Sequence, residues 1–174
     1  TGDNDDPVIS VTSAAGSVAE DVPNDSVSGQ LSASDADAVA TETWSVNGAD
    51  AGTPNTLEGT YGSLSVDATG QWTYTLDDSK AATTALDTGD SDTETFTVRV
   101  TDDKGAFDEQ VVTITVNGTN DAPTVSAAAS ATAVEGDQGN SPETPAYTFT
   151  VTDFNFADDD ADDSFASVTI STLP

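Results

Sequence analysis

The 174-residue sequence contains no cysteine, histidine or methionine, and only three of its residues are lysine or arginine. These absences exclude disulfides, thiolate or imidazole metal sites, cysteine and histidine nucleophiles, and the commonest general base. No apolar run approaches the length of a membrane span, and no signal peptide opens the chain. We therefore expect no direct membrane insertion. If the protein is exported, we expect its targeting signal to lie elsewhere in a larger protein.

The charge is almost entirely of one sign. Thirty-two acidic residues, 25 Asp and 7 Glu, give a formal net charge of −29. Nucleic acid and anionic membranes would repel such a chain, whereas cations are attracted to it. Aspartate fits turns and ligates hard cations through oxygen. The composition therefore favours a cation-binding protein and argues against a nucleic-acid-binding one.

Short alternating runs rich in Val, Thr, Phe, Tyr and Trp, bounded by Gly, Asp, Asn and Pro, indicate β-structure. Two hairpins are predicted, with turns at 67–70 and 102–105, and one short helix at 78–86. About seven antiparallel strands in about 110 residues predict an all-β, immunoglobulin-like sandwich. The predicted strands are 8–12, 28–34, 42–47, 61–66, 71–76, 93–101 and 107–117.

An Asn-Asp-x-Pro linker occurs twice, at residues 4–7 and 120–123, which gives a period of 116 residues. Tandem modules joined by a few residues form a rod or an array. We therefore predict a complete module over 1–121 and the N-terminal part of a second, split or truncated module over 122–174. The second module is completed either by a continuation of the chain or by strands from another chain or a later segment.

Each linker is followed by a strand, a short acidic segment and a second strand that ends in two oxygen-bearing side chains. These acidic segments, which we call the acidic steps, are "SVAED" (17–21) and "AVEGD" (133–137). The strand ends are Asp35-x-Asp37 in the first copy and Asp153-x-Asn155 in the second. This parallel makes all four of these side chains candidate cation ligands.

The sandwich topology gathers the acidic residues at its two ends and leaves the strands nearly free of them. One end is expected to hold Asp3, Asn4, Asp5, Asp35, Asp37 and Asp102. The other is expected to hold Glu20, Asp87, Asp90, Asn120 and Asp121, with the acidic run 153–163 of the second module facing it.

Such clusters need a neutralising partner. Unit charges about 5 Å apart repel by about 3 kcal/mol at an effective dielectric constant near 20. Several such pairs would outweigh the roughly 5–15 kcal/mol of a typical domain. Ca²⁺ accepts six to eight oxygen ligands in flexible geometry, whereas Mg²⁺ keeps its waters. We therefore predict calcium sites at both ends. The sites at the linker are expected to join neighbouring modules.

The linkers, "SDAD" (34–37) and "LDTGDSDTETFTVRVTDDKG" (86–105) resemble the cadherin pattern of calcium-binding repeats. "GQLSASDAD" (29–37), the stretch 61–106 and "VNGTNDAP" (116–123) more closely resemble VCBS-type repeats of large bacterial RTX adhesins, which are exported by type I secretion. The resemblance implies a secreted, cell-surface extender that Ca²⁺ rigidifies. Its partners would be neighbouring repeats, and other domains would bind a host-cell, biofilm or surface ligand.

Carried over by position, the resemblance supports most of the ligands placed at the two ends. Those residues are Asp3, Asn4, Asp5, Asp35, Asp37 and Asp102, and Glu20, Asp87, Asn120, Asp121 and Asp153. The chain also departs from the cadherin pattern. Its linker lacks the leading carboxylate, and "DTG" replaces Asp-Arg-Glu, which leaves Asp90 or Asp92 as substitutes.

Several acidic residues also have ordinary explanations. Asp67 and Asp103 fit turn positions, and Asp77 and Asp78 fit helix-capping or surface positions. The run 158–163 is equally compatible with a solvated segment and with a metal site. No EF-hand is predicted, because the required Gly and terminal Glu are missing.

The alternative function is a carbohydrate-binding or accessory β-sandwich module of a secreted, salt-adapted protein. Trp44, Trp72 and Tyr74 could stack on sugars, although core packing explains them better. Thr-x-Thr stretches occur in ice-binding faces, but ordinary strand alternation also produces them. No cleft-forming insertion is evident, so we expect no enzymatic activity.

Overall fold

The computed structural model describes residues 3–23, 25–37, 41–46, 55–125, 150–160 and 163–169. The chain divides into two compact units, Thr1–Asn120 and Asp121–Pro174. The described part of the first unit forms nine strands: β1 Val8–Val11, β2 Ala15–Ala19, β3 Ser26–Ser34, β4 Thr43–Val46, β5 Thr56–Glu58, β6 Gly62–Val66, β7 Gln71–Leu76, β8 Ser91–Thr101 and β9 Phe107–Asn117.

These strands form two sheets, ordered β1-β3-β7-β6-β5 and β2-β9-β8-β4. The neighbours pair antiparallel except β2 and β9, which run parallel from Ala15 opposite Thr113 to Ala19 opposite Asn117. Strands β8 and β9 pair along their whole length, from Ser91 opposite Asn117 to Thr101 opposite Phe107. The predicted all-β sandwich is confirmed, with one parallel pair in place of a wholly antiparallel arrangement.

The core lies between the two sheets, and strand alternation decides which side chains enter it. Phe96, Val98 and Val100 of β8 are buried, and the residues between them face outward. Trp72 and Tyr74 of β7 are fully buried on the opposing sheet. The Trp72 indole N–H donates to the Ser13 carbonyl at 2.8 Å. Core packing of the large aromatic residues is thus confirmed, because Trp44 is also only 3% exposed.

The predicted helix at 78–86 is wrong. The segment is a run of turns in which Lys80 N donates to Asp77 O and Thr83 N donates to Lys80 O. The Asp77 carboxylate accepts hydrogen bonds from the Ser79 backbone and hydroxyl, which favours a turn over a helix. Thr83 is fully buried, and its hydroxyl donates to Tyr61 O. Tertiary contacts and β-branched threonines therefore outweigh the weak helical pattern.

Two strands of the first unit were not predicted from the sequence. Strand β2 reads "AGSVA", in which Val18 is the one buried residue besides the adjoining Glu20. Strand β5 is only three residues long. Small residues and short length leave too little alternation to indicate a strand, so pairing with β9 and β6 defines these elements.

The β6–β7 hairpin confirms a turn role for Asp67. Its Oδ1 accepts hydrogen bonds from Thr69 N, Thr69 Oγ1 and Gln71 N at 2.7–3.0 Å. The Thr69 hydroxyl, followed by the Thr69 amide, lowers the pKa of Asp67. Gly70 closes the turn with φ of 78°, a conformation that disfavours a side chain.

The second unit contains a strand pair and a short helix in its described part. Strand β10, Thr124–Val125, pairs antiparallel with β11, Phe156–Ala157. A 3₁₀ helix, Val151–Phe154, precedes β11, where the sequence predicts the end of a strand. The rings of Phe154 and Phe156 lie 5.9 and 5.8 Å from that of Phe165. The acidic step 133–137 lies outside the described residues, as does much of the predicted second module.

Within the described segments, the structure has no helix that is both long and apolar enough to cross a membrane.

Candidate metal sites

The first predicted end of the sandwich brings together residues from three chain segments. Asp5 N donates to Asp37 Oδ2 at 3.2 Å, and Asp37 N donates to Asp35 Oδ1 at 2.7 Å. Asn4 Nδ2 donates to Asp102 Oδ2 at 2.8 Å. The linker, the loop after β3 and the β8–β9 turn therefore meet at this end of the sandwich. We call these five residues the Asp5 cluster; Asp3, beside them in the sequence, is exposed.

Protein donors already satisfy one carboxylate of the Asp5 cluster. Asp102 is 7% exposed, and its Oδ1 accepts hydrogen bonds from Lys104 N and Ala106 N, both at 2.8 Å. Its bond from Asn4 is the main reason that the pKa of Asp102 is lowered. By contrast, Asp35 Oδ2 is buried and accepts no hydrogen bond from the part of the chain that is described. The cluster thus combines a stabilised carboxylate with an unsatisfied carboxylate oxygen.

At the other predicted end, Glu20 contacts the C-terminal residues of the first unit, 117–120, which we call the exit segment. Glu20 is 2% exposed, and its Oε1 accepts the Thr119 N–H at 2.7 Å. Gly118 N donates to Asp90 O at 3.0 Å. A Cβ atom at Gly118 would clash with the Leu86 carbonyl, so only glycine permits this approach. The loop after residue 85 is therefore held against the exit segment by backbone contacts.

The other predicted ligands at this end make local contacts. Asp87 Oδ1 accepts the Thr88 N–H at 2.5 Å, and the side chains of Asp90 and Asn120 are exposed. Asp92, the possible substitute ligand, accepts the Tyr61 hydroxyl at 2.5 Å. That bond lowers the pKa of Asp92 and raises the pKa of Tyr61 to about 12. The structure thus brings Glu20 to the exit segment and assigns Asp92 to a tyrosine.

The second unit holds the tightest acidic group, which we call the Asp160 cluster: Asp158, Asp160 and Asp163. One carboxylate oxygen from each lies within 4.8 Å of the others, and no other such trio occurs among the described residues. Asp160 is 3% exposed. Its Oδ2 accepts the Asp121 N–H at 2.7 Å, while its buried Oδ1 accepts no hydrogen bond in the described structure.

The Asp160 cluster repeats the hydrogen-bond pattern of the Asp5 cluster. Asp121 N donates to Asp160 Oδ2, and Asp160 N donates to Asp158 Oδ1 at 3.1 Å. Asp5 makes the same bond to Asp37, whose amide bonds Asp35. Asp121 follows Asp5 by one repeat period. Asp158 and Asp160 are therefore the structural equivalents of the first unit's Asp-x-Asp pair.

The sequence pattern instead predicts Asp153 and Asn155 as the counterparts of Asp35 and Asp37. In the structure, Asp153 Oδ2 accepts hydrogen bonds from Thr150 N and Oγ1 at 2.7 and 2.9 Å, a local capping arrangement. Asn155 ends the 3₁₀ helix with φ of 43°, in the left-handed region. The linker amide and its acceptor are 32 residues apart in the first unit and 39 in the second. The alternating acids of the run 158–163 were the signal available in the sequence.

A third acidic group, Asp21, Asp25 and Asp78, was not predicted. Burial, followed by the charges of Asp25 and Asp21, raises the pKa of Asp78. Oδ1 of Asp25 and Oδ1 of Asp78 are both buried, without hydrogen-bond partners in the described structure. The mistaken helix concealed this group, because a helix at 78–86 would have made Asp78 a cap.

One acidic side chain in the interior is held by a tyrosine rather than by other acids. The Tyr74 hydroxyl donates a short hydrogen bond to Glu94 Oε1, and Thr60 N donates to Glu94 Oε2 at 2.8 Å. Burial, followed by the Glu94 bond, raises the pKa of Tyr74 well above its usual range. Glu94 thus links β8 to β7 across the core and has donors for both of its oxygens.

The donor set of the Asp160 cluster fits a hard cation. Two oxygens each about 2.4 Å from one Ca²⁺ ion can be at most about 4.8 Å apart, and the three carboxylates meet this limit. The unsatisfied Asp160 Oδ1 offers a buried anionic oxygen. Metals that prefer thiolate or imidazole ligands have no suitable residues in this sequence.

The chain has partial similarity to solved structures of cadherin domains. A solved structure of protocadherin gamma B7 extracellular cadherin domains 1–4 is 24% identical, with a TM-score of 0.46, over 71% of this chain and 27% of that chain. Mouse cadherin-23 EC22–24 is 20% identical, with a TM-score of 0.43, over 71% and 36%. The chain thus spans about a third or less of these structures. No curated protein matches.

The family comparison covers the first unit almost completely. A family model described as "Bacterial cadherin-like domain" matches residues 4–118. That interval begins in the first linker and ends at the glycine that packs against the loop after residue 85. It includes both sheets of the sandwich. The chain therefore belongs to the bacterial cadherin-like domain family.

Proposed function

We propose that this protein is a calcium-dependent structural extender of a bacterial cell-surface adhesin, of the VCBS type found in RTX adhesins. The observation that carries the proposal is the Asp160 cluster. Asp160 is only 3% exposed, and one of its carboxylate oxygens accepts no hydrogen bond in the described structure. Two more carboxylates lie beside it. Such an arrangement is unfavourable unless a cation is bound.

Repulsion among the carboxylates of the Asp160 cluster is large. Carboxylate charges about 5 Å apart repel by about 3 kcal/mol per pair at an effective dielectric constant of 20. The three members of the Asp160 cluster form three such pairs. A bound divalent cation supplies the opposing charge. We therefore expect Asp158, Asp160 and Asp163 to act as ligands of one cation. In the separate Asp5 cluster, we expect Asp35 to act as a ligand.

The extender role rests on how the linkers are held within each unit. Asp5 and Asp121, one from each Asn-Asp-x-Pro linker, donate their backbone amides to the second aspartate of an Asp-x-Asp pair. A cation bound by that aspartate fixes the carboxylate that receives the linker amide. Ordering of the linker segments is then coupled to calcium concentration, and a string of neighbouring repeats becomes stiffer when calcium is high.

The setting follows from this role. Calcium is abundant outside cells, so the proposal places the protein on the bacterial surface, with neighbouring repeats of the same polypeptide as its direct partners. Ligand recognition belongs to other domains of the full adhesin. The alternative carbohydrate-binding role gains no support, because Trp44, Trp72 and Tyr74 are buried. The role proposed is structural rather than enzymatic.

The test is a Ca²⁺ titration into chelator-treated protein, followed by melting temperature and small-angle scattering, with Mg²⁺ as the control ion. Saturation at about a thousand times the dissociation constant adds about 4 kcal/mol per site. We expect a clear rise in melting temperature and a more extended, less variable chain with Ca²⁺. Unchanged melting and unchanged dimensions would rule out the proposal.

A further inference from the structure

The outer face of the β2-β9-β8-β4 sheet is nearly free of the acidic side chains that gather at the ends of the sandwich. Alternate residues of β8 and β9 point away from the core because Phe96, Val98, Val112 and Ile114 are buried. Within β8 and β9, these outward residues, which we call the threonine face, are Thr93, Thr95, Thr97, Arg99, Thr101, Phe107, Glu109, Val111, Thr113 and Thr115. The face is uncharged apart from one arginine and one glutamate.

Its two charges neutralise each other. Arg99, the only arginine in the sequence, lies opposite Glu109 in the strand register. Its Nε and Nη2 donate to Glu109 Oε1 at 2.8 and 2.6 Å. The guanidinium also stacks 4.0 Å from the centroid of the Phe107 ring. In a chain with a net charge of −29, the threonine face therefore has a net charge of zero.

The same face exposes large apolar side chains. Phe107 and Val111 are each 48% exposed and flank Glu109 on β9. In the opposite sheet, Glu58 of β5 pairs with Lys80 at 3.2 Å, and the exposed Val8 and Val11 lie on the edge strand β1. The central outward residues of that sheet, such as Ser28 and Thr73, are paired, small and polar. Apolar contact area and neutral charge thus coincide on the threonine face.

We propose that the threonine face is the surface by which two copies of this chain associate side by side. A second copy is repelled by the acidic ends, whereas this face carries no net charge to oppose its approach. In a two-fold arrangement the same patch serves both copies. Arg99 of each copy then faces Glu109 of the other, and the Phe107 and Val111 side chains lose contact with water. This inference is independent of calcium binding and goes beyond the extender role.

The available area fits a weak, reversible dimer. Strands β8 and β9 have 11 residues each. Strands β2 and β4 add five and four residues. At about 3.3 Å per residue and about 4.8 Å between strands, the four-stranded face covers roughly 500 Å² per copy. Standard interfaces bury about 800 Å² per partner. Screening by salt should strengthen the association, because the Debye length falls from about 10 Å at 0.1 M to about 3 Å at 1 M.

The test is sedimentation equilibrium of the full chain at fixed calcium and increasing NaCl. We expect a concentration-dependent dimer that salt promotes, and V111E should weaken it by at least about tenfold. T73E, which adds the same charge to the opposite sheet, is the matched control and should dimerise like the wild type. Melting curves of both variants check that each is folded.

Charge exchange gives a sharper second arm. R99E makes the face doubly negative and E109R makes it doubly positive, so each alone should stay monomeric. An equimolar mixture should form heterodimers, and the double variant R99E/E109R should dimerise with itself. A wild type that is monomeric at every salt concentration, a mixture that does not associate, or a loss caused by T73E but not V111E would overturn the proposal. Calcium titration of the same samples separates that failure from failure of the extender role.

Discussion

The Asp5 and Asp160 clusters use the same backbone pattern but treat their carboxylates differently. In both, a linker amide donates a hydrogen bond to the carboxylate of the second aspartate of an Asp-x-Asp pair. The amide of that second aspartate donates to the carboxylate of the first aspartate. In the Asp5 cluster, Asp102 receives donors from Asn4 and from its own turn. In the Asp160 cluster, three carboxylates converge. The repeated pattern sets the framework, and the donors around it decide how much each cluster needs a cation.

This difference gives Asp102 and Asp160 opposite expected behaviour without metal. A carboxylate that accepts several hydrogen bonds stabilises the fold by itself. A buried carboxylate oxygen without a donor, close to other negative charges, destabilises it until a cation binds. When calcium is absent, removing the charge of Asp102 should therefore destabilise the fold. Removing the charge of Asp160 should instead reduce the repulsion within its cluster.

The largest effect is expected from D160N. Replacing the most buried ligand removes charge and should lower the calcium affinity of the second unit by about a hundredfold, or about 2.7 kcal/mol. In chelator the same variant should melt no lower than the wild type. Isothermal titration calorimetry and thermal melts measure the two quantities. D159N, one residue away at an exposed position, is the control and should bind calcium almost normally; equal losses in the two variants would contradict the assignment.

The next effect is expected from Y74F, in which a carboxylate loses a protein donor. Glu94 would keep its bond from Thr60 but lose the buried hydroxyl. We expect a loss of about 2 kcal/mol in unfolding free energy, equal with calcium and with chelator. Denaturant unfolding in both conditions provides the measurement. Y61F should cost less, because its partner Asp92 is exposed; a calcium-dependent loss for Y74F would show that Glu94 is part of a metal site.

A smaller loss is expected from D102N, with a defined pH dependence. The lowered pKa of Asp102 means that its ionised form stabilises the folded state above the ordinary aspartate pKa of about 3.9. That contribution is lost as the pH falls through the lowered folded-state pKa. D102N should therefore melt several degrees lower than the wild type at pH 7 in chelator, and the gap should close in acid. A constant gap across the pH range would point to lost packing instead.

The smallest effect, of opposite sign, is expected from D78N. The pKa of Asp78 is raised, so its contribution is most favourable below the ordinary aspartate pKa and is lost as the pH rises through the raised value. In chelator at pH 7, D78N should melt a few degrees higher than the wild type, and the two should agree at low pH. D77N is the neighbouring control. It should not be stabilising, because Ser79 donors lower the pKa of Asp77.

The sandwich could be predicted from the sequence because alternation in β8 and β9 is strong. Phe96, Val98 and Val100 fall on one face, as do Val112 and Ile114, and all are buried. The parallel pairing of β2 could not be predicted, because "AGSVA" has almost no apolar alternation. The segment 78–86 was mistaken for a helix because local composition gives no sign that Thr83 is buried against Tyr61.

The candidate sites were only partly predictable, for a related reason. The Asp5 cluster follows from topology, since its members lie at strand ends that a sandwich brings together. The Asp160 cluster required an alignment across units whose linker-to-acceptor spacing differs by several residues. Acidic residues are so frequent here that Asp153 offered an equally good match in sequence. Only hydrogen bonds identify which aspartate receives the linker amide.

The most direct measurement is a crystal structure of the chain grown with Ca²⁺ and examined for ions by anomalous scattering. We expect an ion about 2.3–2.6 Å from carboxylate oxygens of Asp158, Asp160 and Asp163. We also expect Asp160 to accept the Asp121 amide hydrogen bond, as it does here. Well-ordered carboxylates with only water between them, at saturating calcium, would contradict the claim that a cation neutralises this cluster.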